Sequence, residues 1–257
     1  VTTDKRMPLR AHLDELRRTL LHCAFVFAGL FAVAMFLLPK LLNFVNVPWS
    51  RAREAIVAAG SADPGTLIYI GASEGMIFGL KIAFFASILA GAPYYLWELW
   101  RFIGVGLMPS ERGAVRRAFV PSVALLLVGM YFGFTLLLPY AFQFLVTYLP
   151  EELAVAQVTV TSYLSFVTSL TLLMGFVFET PLVMWVLVRA GMVRLTTLRG
   201  GRRMAVLLVM VFAAIATPPD PFTMVFVALP MLVLYEVGLL LGLHAEKARN
   251  ASDTKRI

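Results

Sequence analysis

The residues able to do chemistry are few, and one is oddly placed. The run Gly175–Leu187, "GFVFETPLVMWVL", is apolar except for Glu179 and Thr180, and Glu179 stands two residues before Pro181. A carboxylate at the centre of a membrane helix costs about 2.5–3.5 kcal/mol on insertion scales. A chain keeps such a group where it faces protein, water or a partner, or where it carries its proton. Pro181 has no N–H for the carbonyl of Val177, so the helix is expected to kink and leave an acceptor free beside Glu179. The functional reading is a bent helix with a polar pocket, able to serve a proton, an ion or a polar partner. The structural one is a protonated Glu179 bonded to a neighbouring helix. Glu236, in the last apolar run, lies close enough to its inner end to reach the interface.

Other chemical patterns are weaker. "GASEG", Gly71–Gly75, matches the nucleophile elbow G-x-S-x-G around Ser73, which needs a preceding strand and His and Asp partners. The histidines, His12, His22 and His244, all fall at the opposite end of the apolar runs, so a glycine-rich helix entry is the better reading. No metal-ligand spacing, phosphate loop or dinucleotide fingerprint is present, and no cofactor is expected. Cys23 is the single cysteine, which excludes an intramolecular disulfide. Acids also stand beside arginines in two basic stretches: Asp14 and Glu15 in "HLDELRR", and Glu111 in "MPSERG". These could bind a cationic ligand. They could equally be local structure, with Ser110 capping a helix that has Glu111 in its first turn, and Glu15 pairing with Arg18 or Arg117.

The elements that position these groups are membrane spans. Of 257 residues 60% are hydrophobic and the mean hydropathy is +0.84, against about 45–50% apolar in soluble domains. The expected fold is an all-α integral membrane protein with one polytopic domain over residues 1–257 and no cleavable signal peptide. Crossing a ~30 Å core takes roughly 20 residues at ~1.5 Å each. Runs at about 19–38, 76–96, 118–138 and 163–188 satisfy this, and 222–243 follows the tight "TPPDP". The run 204–216 is short; it is read as a sixth span because it turns straight into the next, the alternative being a re-entrant hairpin. Prolines 93, 121, 139, 181 and 230 fall in or beside five spans, arguing for kinked helices around a concavity. Eighteen of the 22 Lys and Arg residues lie before span one, after spans two and four, and in the tail. That bias puts both termini in the cytoplasm. It also accounts for the +7 charge without nucleic acid. The outer loops, 43–75 and 139–162, are long enough to cap the molecule and too short for a catalytic domain.

Several stretches, in order, resemble the TatC family, the core subunit of the twin-arginine protein translocase. They are "HLDELRRTLL", "APYYLWELWRFIGVGLMPSER", "SYLSFV", "FETPLV", and "TPPDPFT" followed by "LPMLVLYEVGLLL". The resemblance runs from about Pro8 to Leu243. It implies a six-span cupped membrane protein that is not an enzyme. Such a protein would receive folded cargo by twin-arginine signal peptides. With TatA and TatB type single-span partners, other copies of itself and the proton-motive force, it would export that cargo across the cytoplasmic (inner) membrane. The family's acids that bind the twin arginines match Glu15 and Glu111. Its span-four acid matches Glu179, on the concave face. Its "TPPD" turn matches Thr217–Asp220, expected to help dock a partner helix.

The chain departs from the family where proline is frequent, at Val105, and where a second arginine is frequent, at Gly113. At Met224 some members carry a docking glutamine, which leaves Thr217 and Thr223 as the polar candidates. The rival reading is a secondary transporter or channel with Glu179 as its proton or ion site. That would call for inverted repeats and several intramembrane polar groups.

Overall fold

Continuous apolar sequence gives continuous helix, because a backbone in lipid must satisfy its own hydrogen bonds. The computed structural model describes residues 9–106, 112–149, 157–217 and 220–254, with side chains described over 14–102, 118–149, 157–217 and 220–247. Nearly all of this is helical. The elements of the main row are α1 (Leu9–Phe36), α4 (Glu74–Gly106), α5 (Arg112–Phe132), α7 (Val160–Phe178) with its continuation α8 (Thr180–Arg189), and α11 (Pro221–Thr254). The others are α2 (Leu38–Val45), α3 (Val47–Ala58), α6 (Leu138–Thr147), α9 (Leu195–Gly200) and α10 (Arg202–Ala216). Among the described residues the β pairing is an isolated parallel bridge between Ile68 and Thr159.

Among the described residues five stretches are long and apolar enough to cross a membrane: Asp14–Phe36, Glu74–Phe102, Ala118–Thr147, Val160–Arg189 and Pro221–Lys247. The protein is therefore a multi-pass membrane protein. The short sixth run forms α10, a helix of 15 residues, about 22 Å long at 1.5 Å per residue.

The prolines act where the sequence placed them. Pro93, Pro121 and Pro230 lie inside α4, α5 and α11. Ahead of Pro139 the backbone widens into a π-turn over Gly133–Leu137, which joins α5 to α6 as one bent span. Ahead of Pro181 the chain breaks between α7 and α8, and the N–H of Glu179 donates to Phe176 O at 3.1 Å. The carbonyl of Val177 is not left free as expected: a backbone N–H of the α7 cap reaches it. The turn has tightened to recover the bond that proline removes.

Packing runs in a row. α1 packs on α4, α4 on α5, α5 on α7, α8 on α11, and α11 on α10. Small residues bring neighbours close, as is usual where lipid supplies no hydrophobic drive between helices. A Cβ at Gly129 would lie 2.5 Å from Met174 O and 2.7 Å from Phe178 Cβ, so α5 and α7 nearly touch there. At the opposite end of the spans from both termini, the segment after α1 folds as α2 and α3, and α3 lies on α6. Trp49, 3% exposed, packs edge-on to Phe142 and Tyr163, and its Nε1 donates to Gly65 O at 3.2 Å. The two outer loops are joined by Ile68 N–H to Val158 O (3.1 Å) and Val160 N–H to Ile68 O (2.8 Å).

Candidate functional site

Two polar clusters lie against α4, and α4 positions both. The first is toward its C-terminal end. Tyr94, Glu98 and Arg101 are spaced i, i+4 and i+7, so they share one face of the helix. On α1, Glu15 and Thr19 share a face in the same way, and α1 packs on α4. The two faces meet: Arg101 Nη2 is 2.8 Å from Glu98 Oε2 and 3.6 Å from Glu15 Oε1. Tyr94 donates its hydroxyl to Glu98 Oε1 at 3.1 Å. Glu98 is 2% exposed, whereas the side chains of Glu15 and Arg101 are 31% and 38% exposed. Thus one carboxylate is sunk beneath the helix contact, and a second is half-open to the surface above the same guanidinium. Glu15 pairs with Arg101, not with Arg18 as the local reading allowed. Asp14, one residue earlier, is exposed. Glu111 lies outside the described residues, as do the side chains of Arg112, Arg116 and Arg117.

Glu98 is the group the sequence reading passed over. In "YYLWELW" it sits in an aromatic stretch that looks like an interfacial belt. Its burial follows from α1 docking across it, a contact between segments some eighty residues apart. Its signal was nonetheless present, as an acid three residues before an arginine within a helix.

The second cluster surrounds Glu179. The residue is 7% exposed. Ser122 of α5 donates to Glu179 Oε2 at 2.6 Å, and Trp100 Nε1 of α4 donates to Ser122 Oγ at 2.9 Å. Glu179 Oε1 is buried with no hydrogen-bond partner among the described residues. The carboxyl group is therefore held by a neighbouring helix on one oxygen and left bare on the other. Trp100 and Arg101 are consecutive, so α4 pairs with one acid directly through Arg101 and reaches the other through Trp100 and Ser122. Glu236 pairs with Arg202 at 2.8 Å, both side chains more than half exposed, in keeping with an interfacial position.

The turn between α10 and α11 is self-contained. Thr217 is 7% exposed and donates to Ala213 O at 2.9 Å. Asp220 caps α11, accepting the Thr223 N–H at 2.7 Å and the Thr223 hydroxyl. Met224 is half-buried against the main core. Pro218 and Pro219 lie outside the described residues. Ser73 is exposed at the entry to α4, and the nearest β structure before it is the isolated bridge at Ile68. No group of three or more metal-ligating side chains occurs among the described residues.

These features define a class: a multi-pass helical membrane protein whose acids are held against helix interfaces, with no assembled catalytic set among the described residues. The family model for "Sec-independent protein translocase protein (TatC)" matches residues 11–230, and the chain belongs to that family. The TatC of Desulforapulum autotrophicum is 30% identical over 92% of this chain and 84% of its own length. That of Escherichia coli is 30% identical over 98% of this chain and 95% of its own. A crystal structure described as the twin arginine translocase receptor TatC superimposes with a TM-score of 0.78 at 29% identity, covering 91% of this chain and 99% of that one. Membership of this family disfavours the transporter or channel alternative.

Proposed function

We propose that this chain is a receptor for twin-arginine signal peptides and the polytopic core of a translocase that exports folded proteins, driven by the proton-motive force. The observation that carries the reading is the guanidinium held between Glu98 and Glu15 at the inner end of α1 and α4. A surface that takes a guanidinium from its own chain has the charge and shape to take one from a ligand. Glu15 supplies one carboxylate from α1, and Glu111 supplies the second from the segment just before α5. Two charge-assisted contacts of about 1.5–3 kcal/mol each select a paired cation. Arginine is favoured over lysine because a planar fork matches a carboxylate at two points. Arg17 and Arg18, exposed beside Glu15, repel peptides that carry only diffuse positive charge.

The same reading gives the molecule one membrane domain over residues 1–257 and six spans, with α10 the shortest. Both termini face the cytoplasm, and the membrane is the cytoplasmic (inner) one. The partners are TatA and TatB type single-span proteins, other copies of the chain and the surrounding lipid, with no nucleic acid. The work is binding and passage, not catalysis, and it needs neither metal nor cofactor. Glu179 faces the polar interior of the cup, and Thr217, Asp220, Thr223 and Met224 shape the edge at which a partner helix docks.

Peptide affinity to the purified protein in detergent, at modest salt, tests the site. Glu15→Ala and Glu111→Ala should each weaken binding of a twin-arginine peptide about tenfold or more, and Asp14→Ala much less. Equal small losses for all three would reduce the rim to a diffuse field and remove the two-carboxylate site.

A further inference from the structure

The contact at the rim has a consequence for selectivity. Arg101 Nη2 lies 3.6 Å from Glu15 Oε1, so the half-open carboxylate is already partnered before any ligand arrives. The same nitrogen is 2.8 Å from Glu98 Oε2, which is buried and is steadied on its other oxygen by the Tyr94 hydroxyl. Arg101 therefore has a close inner ion pair, which does not align as a hydrogen bond at Glu98 Oε2, and a longer, weaker outer contact. A cation that reaches Glu15 has to displace only the weaker one, and Arg101 retains Glu98 as it yields.

We infer that Arg101 is a built-in competitor for the Glu15 subsite, and that Glu98 sets its strength by drawing the guanidinium inward. Arg101 and Glu98 are thus residues that set the affinity threshold of the receptor without touching the ligand. This rests on the reading of Glu15 as a ligand-binding carboxylate. The physical logic is exchange. A ligand guanidinium replaces an internal one of the same shape and charge, so a single weak cation gains little by entering. A ligand engaging Glu15 together with a second site repays the displacement. Without Glu98, the Arg101 side chain would swing fully onto Glu15 and close the subsite further. Without both Glu98 and Arg101, Glu15 would stand open.

The two residues make opposite predictions, which separates this role from general packing. Removing Arg101 alone strands a buried carboxylate, so the informative pair is Glu98→Gln and the double variant E98Q/R101A, which leaves the α1–α4 contact uncharged. The probe is a synthetic peptide with two consecutive arginines ahead of an apolar stretch, titrated against the full-length protein in detergent. Glu98→Gln should weaken binding about two- to fivefold, and E98Q/R101A should bind about two- to fivefold tighter than wild type, the range of a half-exposed ion pair. Both changes should vanish in the Glu15→Ala background, since coupled residues fail to add.

If E98Q/R101A binds no tighter than wild type, Arg101 holds Glu15 in place and is not its competitor, and the inference fails. If its gain persists undiminished with Glu15→Ala, only the general charge of the rim has changed, and the inference fails again. Loss of nothing by Glu15→Ala alone would instead overturn the receptor site itself. E98Q/R101Q, which likewise leaves no stranded carboxylate and keeps a longer side chain at 101, provides a second measurement if E98Q/R101A loses its thermal transition. It too should tighten binding, and weakening would count against the competitor role.

Discussion

A carboxyl group with one oxygen bonded to Ser122 and the other bare is costly to keep at 7% exposure. Its neighbours determine what a substitution does. Glutamine retains an oxygen for the Ser122 hydroxyl, whereas leucine fills the volume and leaves that hydroxyl without an acceptor. A buried donor so stranded costs about 1–3 kcal/mol. Glu179→Leu should lower thermal stability in detergent by that order and Glu179→Gln by much less, with export falling in the same order. A leucine variant that exports like wild type would end any functional role for Glu179. At the opposite face, Asp63 shows a second kind of acid. The Arg53 guanidinium and the Gly65 N–H hold its carboxyl at about 2, below the ordinary 3.8. A lowered value means a contribution present above the ordinary value and lost as the pH falls through about 2. Protection of the Gly65 amide should therefore drop between about pH 4 and 2, and Asp63→Asn should flatten that profile. Glu179 was legible in the sequence because an acid in an apolar run contrasts with everything around it. Glu98 showed only as an acid three residues before an arginine, because its burial is decided by which helix lies across it.

Helices were legible wherever lipid dictates them and less so beyond it. The apolar run at 76–96 marks only part of α4. The helix itself continues to Gly106, since hydropathy ends at the interface and helix propensity does not. The extension matters, because Trp100 and Arg101 lie on it. The outer loops were foreseen as caps, but not as α2, α3 and a bridge at Ile68, whose partner strand segment is some ninety residues away. Close helix approach was equally hidden, since a glycine inside a span has no mark of its own. Gly129→Ala would force a methyl group into Met174 O and the Phe178 side chain. It should cost about 1–3 kcal/mol in unfolding measurements, as overpacking does. Gly29→Ala, which meets nothing within 4 Å, should be neutral or slightly stabilising. Equal effects at both positions would show that the α5–α7 contact does not control stability.

At the scale of the whole molecule, the row of helices ends in two unlike edges. At one edge α1 exposes Phe25, Val33 and Phe36; at the other α10 exposes Leu207, Val211, Phe212 and Ile215. Both are apolar and both suit lipid, but α10 has 15 residues where α1 has 28. About 22 Å of helix against a ~30 Å core demands that the bilayer thin beside it or that another helix shield its ends. Reporter fusions after Arg203 and at the C-terminus should read cytoplasmic, and fusions near Asp63 and Glu152 external. A cytoplasmic reading near Glu152 would remove the six-span arrangement. If the arrangement holds, the mismatch makes α10 the edge where a single-span partner gains most, because its helix covers the short span and relieves the thinned lipid together. The α10–α11 turn keeps its own hydroxyls satisfied through Ala213 and Asp220. Docking there should therefore depend on apolar shape around Ala214 and Met224 more than on a shared hydrogen bond. Cysteine placed at 214 or 224 should crosslink to TatA or TatB type helices, and Thr223→Val should cost stability more than crosslinking. Crosslinks confined to the Phe25–Leu37 face of α1 would move the docking edge to the other end of the row.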